Sequence, residues 1–154
     1  MTKQSQSLPA IAKILGGMGL IPFIACAVQI ASGWPMGPRA TGPALYALLL
    51  YSALIISFLG GVQWGLVLSD QDTNNQTRRF IVSNLPTLAA WSAAWIGGKT
   101  GLLFMAAILA VILAYEHWSA TQSQTPSAYV QMRNGLTAVA CAALLTSAFL
   151  GPFA

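Results

Sequence analysis

The chain has 154 residues, 56% of them hydrophobic and 6% charged, whereas an ordinary soluble domain is about a quarter charged. Seven Lys and Arg against three Asp and Glu give a net charge of +4, too little ionised surface to keep a domain of this length in water. The basic residues stand singly or in one pair beside apolar runs, a pattern that excludes nucleic acid as a partner and makes the lipid bilayer the expected surroundings.

Crossing the hydrocarbon takes about 20 apolar residues at about 1.5 Å each, and five segments meet or approach that length. The first runs over residues 11–31, behind an N-terminus without the small-residue cleavage pattern of a signal peptide. Pro22 within it cannot donate to the Met18 carbonyl, which predicts a kink. Ser32 to Pro43, SGWPMGPRATGP, is too rich in Gly and Pro to stay helical.

The second segment, residues 43–68, is long enough to tilt or protrude. Ala53, Ser57, Gly61 and Gly65 recur every four residues along it and form one small-residue ridge. Lipid offers no hydrophobic force between helices, so close backbone approach is what such a ridge provides. The ridge is expected to pack within the bundle, with a dimer or partner-docking face as the alternative. Beside it stand Gln63 and Trp64. An amide in hydrocarbon needs partners, because leaving it unpaired costs several kcal/mol (about 2–7).

A polar loop, Asp70 to Arg79, leads to the third segment, residues 80–97. Pro86 frees the Val82 carbonyl and predicts a second kink, and Ser83, Asn84 and Thr87 surround it. Gln63, Asn84 and these hydroxyls are expected to form an internal hydrogen-bond network. The alternative is a partly polar pocket lined by Gln63, Trp64, Asn84 and Trp91. Gly97 to Gly101, GGKTG, reads as a tight helix–helix turn into the fourth segment, residues 101–118, whose apolar part ends at Tyr115. In the long connection Ser119 to Arg133, Pro126 and Ser127 are expected to open a short interfacial helix before the fifth segment, residues 135–153.

The charges assign an orientation. Lys3, Lys13, Arg78, Arg79 and Arg133 gather on one side, Arg39 and Lys99 on the other, so the N-terminus is expected in the cytoplasm and the C-terminus in the periplasm. Trp34 and Tyr46 on one side and Trp64, Tyr115, Trp118 and Tyr129 on the other suit two aromatic belts. Asp70, Glu116, His117 and Arg133 read as interfacial charges in local ion pairs. A proton relay through Glu116 and His117 is the weaker alternative, since adjacent helical residues point about 100° apart.

Catalytic machinery is not visible. One histidine rules out multi-histidine metal sites, HExxH and phosphate-loop patterns are missing, and Cys26 and Cys141 read as small packing residues. No enzyme activity, metal or cofactor is expected.

Several stretches occur in a recognisable order: LGGMGLIPF (Leu15 to Phe23), YSALIISFLGGVQWG (Tyr51 to Gly65), SNLPTLAAW (Ser83 to Trp91) and AYVQMRNGLT (Ala128 to Thr137). Together they resemble the uncharacterised bacterial and mitochondrial family that includes transmembrane protein 69. Ala128 departs from the tryptophan that the resemblance leads one to expect before Tyr129. The resemblance implies a small inner-membrane protein without an assigned activity, and marks Gly19, Pro22, Ser57, Gly60, Gly61, Trp64, Gly65, Pro86, Trp91, Tyr129 and Arg133 as its characteristic positions. Tryptophan-rich sensory proteins share the five-helix architecture, but their loop signature is missing here, so that comparison is an analogy of architecture.

The expected fold is therefore a single-domain, all-α bundle of five transmembrane helices in the bacterial inner membrane. The expected function is that of a non-enzymatic scaffold or assembly partner acting through helix–helix contacts, with a membrane-protein partner or a homo-oligomer. Binding or transport of a small hydrophobic ligand is the alternative.

Overall fold

A computed structural model describes residues 10–69, 76–120 and 127–152. Lys3 and Asp70 lie outside the described residues. Within them the chain is all α. Its elements are α1 (Ala10–Met18), α2 (Ile21–Ser32), a 3-10 turn (Pro38–Ala40), α3 (Thr41–Ser69), α4 (Gln76–Ile96), α5 (Gly98–Ala120) and α6 (Ser127–Leu150).

The first expected span is two helices. The chain turns at Gly19 and Leu20, where the Leu20 amide donates to the Gly17 carbonyl, and Pro22 sits in the first turn of α2. An N–H is not needed there, so Pro22 starts a helix rather than kinking a continuous one. The Tyr51 hydroxyl of α3 donates to the Gly19 carbonyl at 2.9 Å, and its ring meets Phe23 edge-on at 5.2 Å between centroids.

The Gly/Pro loop is held by one buried side chain. Gly33 ends α2 with φ of 72°, the left-handed conformation that glycine adopts without strain. Gln29, 2% exposed, donates from Nε2 to the Gly37 carbonyl at 2.9 Å and accepts from the Met36 amide at 3.0 Å. Both ends of its amide are thereby used. α3 begins two residues before the expected Pro43, because a proline in a first helical turn loses no hydrogen bond.

The starts of the remaining helices also lie earlier than expected, whereas α4 and α6 end at Ile96 and Leu150, short of the expected 97 and 153. α4 starts at Gln76, and α5 follows it after the single residue Gly97. Gly97 and Gly98 have φ of 66° and 56°, so the reversal is tighter than GGKTG suggested. α6 begins at Ser127 and runs unbroken past residue 135, so among the described residues no separate interfacial helix precedes it; Pro126 lies outside them. Arg133 therefore lies inside this helix, where it pairs with Glu116 of α5.

α2, α3, α4, α5 and α6 each pack on the next, and α6 returns to α2, closing a ring that α3 and α5 also bridge. Phe23, Leu48, Ile56, Leu102, Met105 and Leu144 fill its centre, each less than 2% exposed. Ser52 and Ser147 are buried among them. Each hydroxyl bonds the carbonyl four residues earlier, which satisfies it without a partner helix. Outside the ring, large apolar side chains such as Leu54, Phe58, Leu68, Leu88, Val111 and Phe149 are exposed, far more apolar surface than a soluble monomer shows.

Four segments are long and apolar enough to cross a membrane: Ala10–Ser32, Pro38–Leu68, Gly98–Trp118 and Ala128–Leu150. α4 is not among them. Gln76, Arg78, Arg79, Ser83, Asn84 and Thr87 dilute its apolar residues.

Candidate functional site

The small-residue ridge divides along its length. Ala53 packs at the edge of the core and Ser57 is half-buried. Gly61 and Gly65 are exposed, and a Cβ added to either would meet nothing within 4 Å. A four-residue repeat advances about 40° per step around a helix of 3.6 residues per turn, so the ridge winds out of the bundle. The face of α3 that packs inward is Leu48, Ser52, Ile56, Gly60 and Val67. Close approach to α4 falls on Gly60, whose Cβ position lies 2.8 Å from the Ser83 carbonyl oxygen and 3.3 Å from Thr87 Oγ1. Gly101 plays the same part between α5 and α4, 2.6 Å from the Ala93 carbonyl oxygen. The expectation that the whole ridge packs within the bundle is thus corrected for its outer half.

The four residues of the expected pocket do not converge. Gln63 lines an apolar cleft of about 350 Å³ between α3, α4 and α5, together with Gly60, Ser83, Pro86, Ile108 and Tyr115. Trp64, Asn84 and Trp91 are exposed and do not line it. Trp64 packs edge-on against Phe80 at 4.8 Å, and Trp91 stacks on Trp95 at 6.1 Å. Asn84 turns back on its own helix and donates to the Phe80 carbonyl, as does Ser83, both at 2.8 Å. Ser83 and Asn84 therefore both serve the carbonyl of Phe80, and no bond joins Asn84 to Gln63 among the described residues.

The charged residues give the best-defined constellation. Arg133 donates from Nε to Glu116 Oε2 at 3.0 Å and from Nη2 to Oε1 at 3.3 Å, a two-point pair between α6 and α5. Their side chains are only 10% and 12% exposed, so the pair is enclosed rather than set on a solvated rim. His117 points elsewhere, its Nε2 sharing a 2.7 Å hydrogen bond with Asn134 Oδ1. Glu116 and His117 thus engage different residues of α6, as their angular separation requires. At the opposite end of these helices Lys99 lies over the Phe149 ring, 4.8 Å from its centroid.

A second cavity, of about 380 Å³, opens where the α1–α2 break stands away from α3 and α6. Its wall is mostly apolar, with Tyr129, Arg133 and Thr137 of α6 as its polar part. Thr137 is 4% exposed, and its Oγ1 is buried with no hydrogen-bond partner among the described residues. Sequence reasoning did not single out Thr137, Tyr51 or Gln29. Tyr51 and Gln29 act through backbone partners on another helix or in a loop, Thr137 is set apart only by its burial, and nothing in the local sequence marks any of them.

A family model described as "Protein of unknown function (DUF3429)" matches residues 8–149. The chain belongs to this family. Its sequence is also 30% identical to transmembrane protein 69 of Xenopus tropicalis over 154 residues, covering 94% of this chain and 56% of that relative. The chain therefore spans little more than half the length of the curated relative it matches. No solved structure matches it. Family, relative and four long apolar helices together make it a membrane protein of the kind that the four quoted stretches resemble. Neither the family description nor the relative's name points to a catalytic activity. Among the described residues no group of three or more His, Cys, Asp or Glu could hold a metal ion.

Of the positions that the resemblance marks, the bundle uses Gly19, Pro22, Gly60, Pro86, Tyr129 and Arg133 at breaks, close contacts and cavities. Gly61, Trp64, Gly65 and Trp91 face outward.

Proposed function

We propose that this chain is a non-enzymatic assembly protein of the bacterial inner membrane, a five-span bundle that docks a transmembrane helix of a partner chain along the outer half of α3. The observation that carries this reading is the contrast between adjacent glycines. Gly60 is consumed in the contact with α4, while Gly61 and Gly65 are open and exposed. A glycine in a helix interior costs about 1 kcal/mol relative to alanine, and the bundle draws no packing from these two. In lipid, small residues one turn apart admit another helix to short range.

Reading α4 as the fifth span rests on its place in the ring, between α3 and α5, with both of its neighbours approaching it through glycine. Five crossings leave Lys13, Arg78, Arg79 and Arg133 on one side and Arg39 and Lys99 on the other. That excess favours a cytoplasmic N-terminus.

The test is purification of the full chain and of a Gly61→Leu, Gly65→Leu variant in mild detergent, followed by identification of co-purifying membrane proteins and measurement of oligomeric state. The double variant is expected to lose a partner chain that the unaltered protein retains, while its own helix content and melting behaviour hold. An unchanged set of partners and an unchanged oligomeric state would overturn the proposal.

A further inference from the structure

The cavity between the α1–α2 break, α3 and α6 carries chemistry that the docking reading does not use. Its volume of about 380 Å³ falls in the range of small-molecule sites, about 300–1,000 Å³. Most of its wall is aliphatic or aromatic, with Leu20, Phe58, Val62 and Leu136 among its residues. Unpaired polar groups are costly in such surroundings, yet one sits on α6, beside an arginine side chain. Thr137 Oγ1 has no partner among the described residues. One turn away, Arg133 gives Nε and Nη2 to Glu116, leaving Nη1 available as a donor.

The Arg133–Glu116 pair also restricts what these groups would accept. Its two charges already balance, so a fully anionic head brought into the cavity would find no countercharge and would carry the cost of desolvation. An uncharged oxygen would accept from Nη1 and from the Thr137 hydroxyl after a turn of its χ1, without disturbing the ion pair. An apolar body would lie along the remaining wall toward the gap left by the broken first span.

We infer that this cavity binds one neutral amphipathic lipid whose carbonyl-type oxygen is held by Arg133 and Thr137. Esters and quinones share that chemistry, and the experiment separates them.

The full chain is purified in an alkyl maltoside, which has neither ester nor carbonyl, and titrated by native mass spectrometry with monoolein, decylubiquinone, oleate and 1-octadecene. Thr137→Val preserves side-chain shape and removes the hydroxyl. Ala12→Phe places a ring at the α1 wall of the cavity. Monoolein or decylubiquinone is expected to bind one per chain and more tightly than oleate or octadecene, and the better of the two identifies an ester or a quinone head. Loss of one hydrogen bond in Thr137→Val should weaken that binding about fivefold, and Ala12→Phe should abolish it with the melting transition retained. The inference fails if neither neutral probe binds at one per chain, if oleate or octadecene binds as well as they do, or if both folded variants bind like the unaltered protein. Gly61 and Gly65 play no part in this site, so its failure and that of helix docking are separate results.

Discussion

Gly60 and Gly61 are neighbours in sequence and opposites in environment. A Cβ at residue 60 would lie 2.8 Å from a backbone carbonyl of α4, which cannot swing aside as a flexible side-chain tip can, whereas one at residue 61 would meet nothing. Overpacking of this kind costs about 1–3 kcal/mol, and replacing an open helical glycine by alanine gains up to about 1 kcal/mol in helix propensity. Gly60→Val is therefore expected to lower stability in detergent by about 2 kcal/mol or more, and Gly61→Ala to leave it unchanged or raise it. Unfolding curves of the two variants side by side check this; equal effects would mean that the two positions are not distinguished as described. The sequence shows that α3 carries glycines at helical spacing, but not which of two adjacent glycines faces α4. That choice depends on a rotation of about 100° about the helix axis, fixed by Leu48, Ile56 and Leu59 settling into the core. Gln29 was equally hidden, because its partners are the backbone of a loop whose path is not written locally.

Between elements, the pair that joins α5 to α6 governs how the last two helices meet. Charge placement in the sequence put Glu116 and Arg133 near one interface, and the two side chains pair between α5 and α6. Enclosure of the pair was not legible, because α6 starts at Ser127 rather than near residue 135, which carries Arg133 inside the helix and against α5. Removing one partner of an enclosed ion pair leaves the other uncompensated, at a cost of about 3–5 kcal/mol, while replacing both by apolar residues is often close to neutral. Glu116→Leu is accordingly expected to destabilise the protein by about that amount, and Glu116→Leu with Arg133→Met to recover most of the loss. A double variant no better than Glu116→Leu alone would show that the arginine does not depend on this carboxylate. The break between α1 and α2 was half legible. Pro22 signalled an interruption, but the turn at Gly19 and the Tyr51 hydroxyl that meets its carbonyl needed α3 in place.

At the scale of the molecule, composition alone announced a helical membrane protein, because so few charges and such long apolar runs leave no other solvent. Four segments carry that signal unaided; the polar residues of α4 lower its hydropathy, while α3 and α5 close around it at Gly60 and Gly101. The proposed five-span bundle requires α4 to cross the bilayer with the rest, which would set residue 13 and residue 152 on opposite faces. Single cysteines placed at Lys13 and at Pro152, in a chain whose Cys26 and Cys141 are replaced by alanine, can be labelled with a membrane-impermeant maleimide in sealed right-side-out and inverted vesicles. Labelling of residue 152 in right-side-out vesicles and of residue 13 in inverted ones is the predicted result. Labelling of both from the same side would contradict it, leaving four crossings and an α4 that does not span.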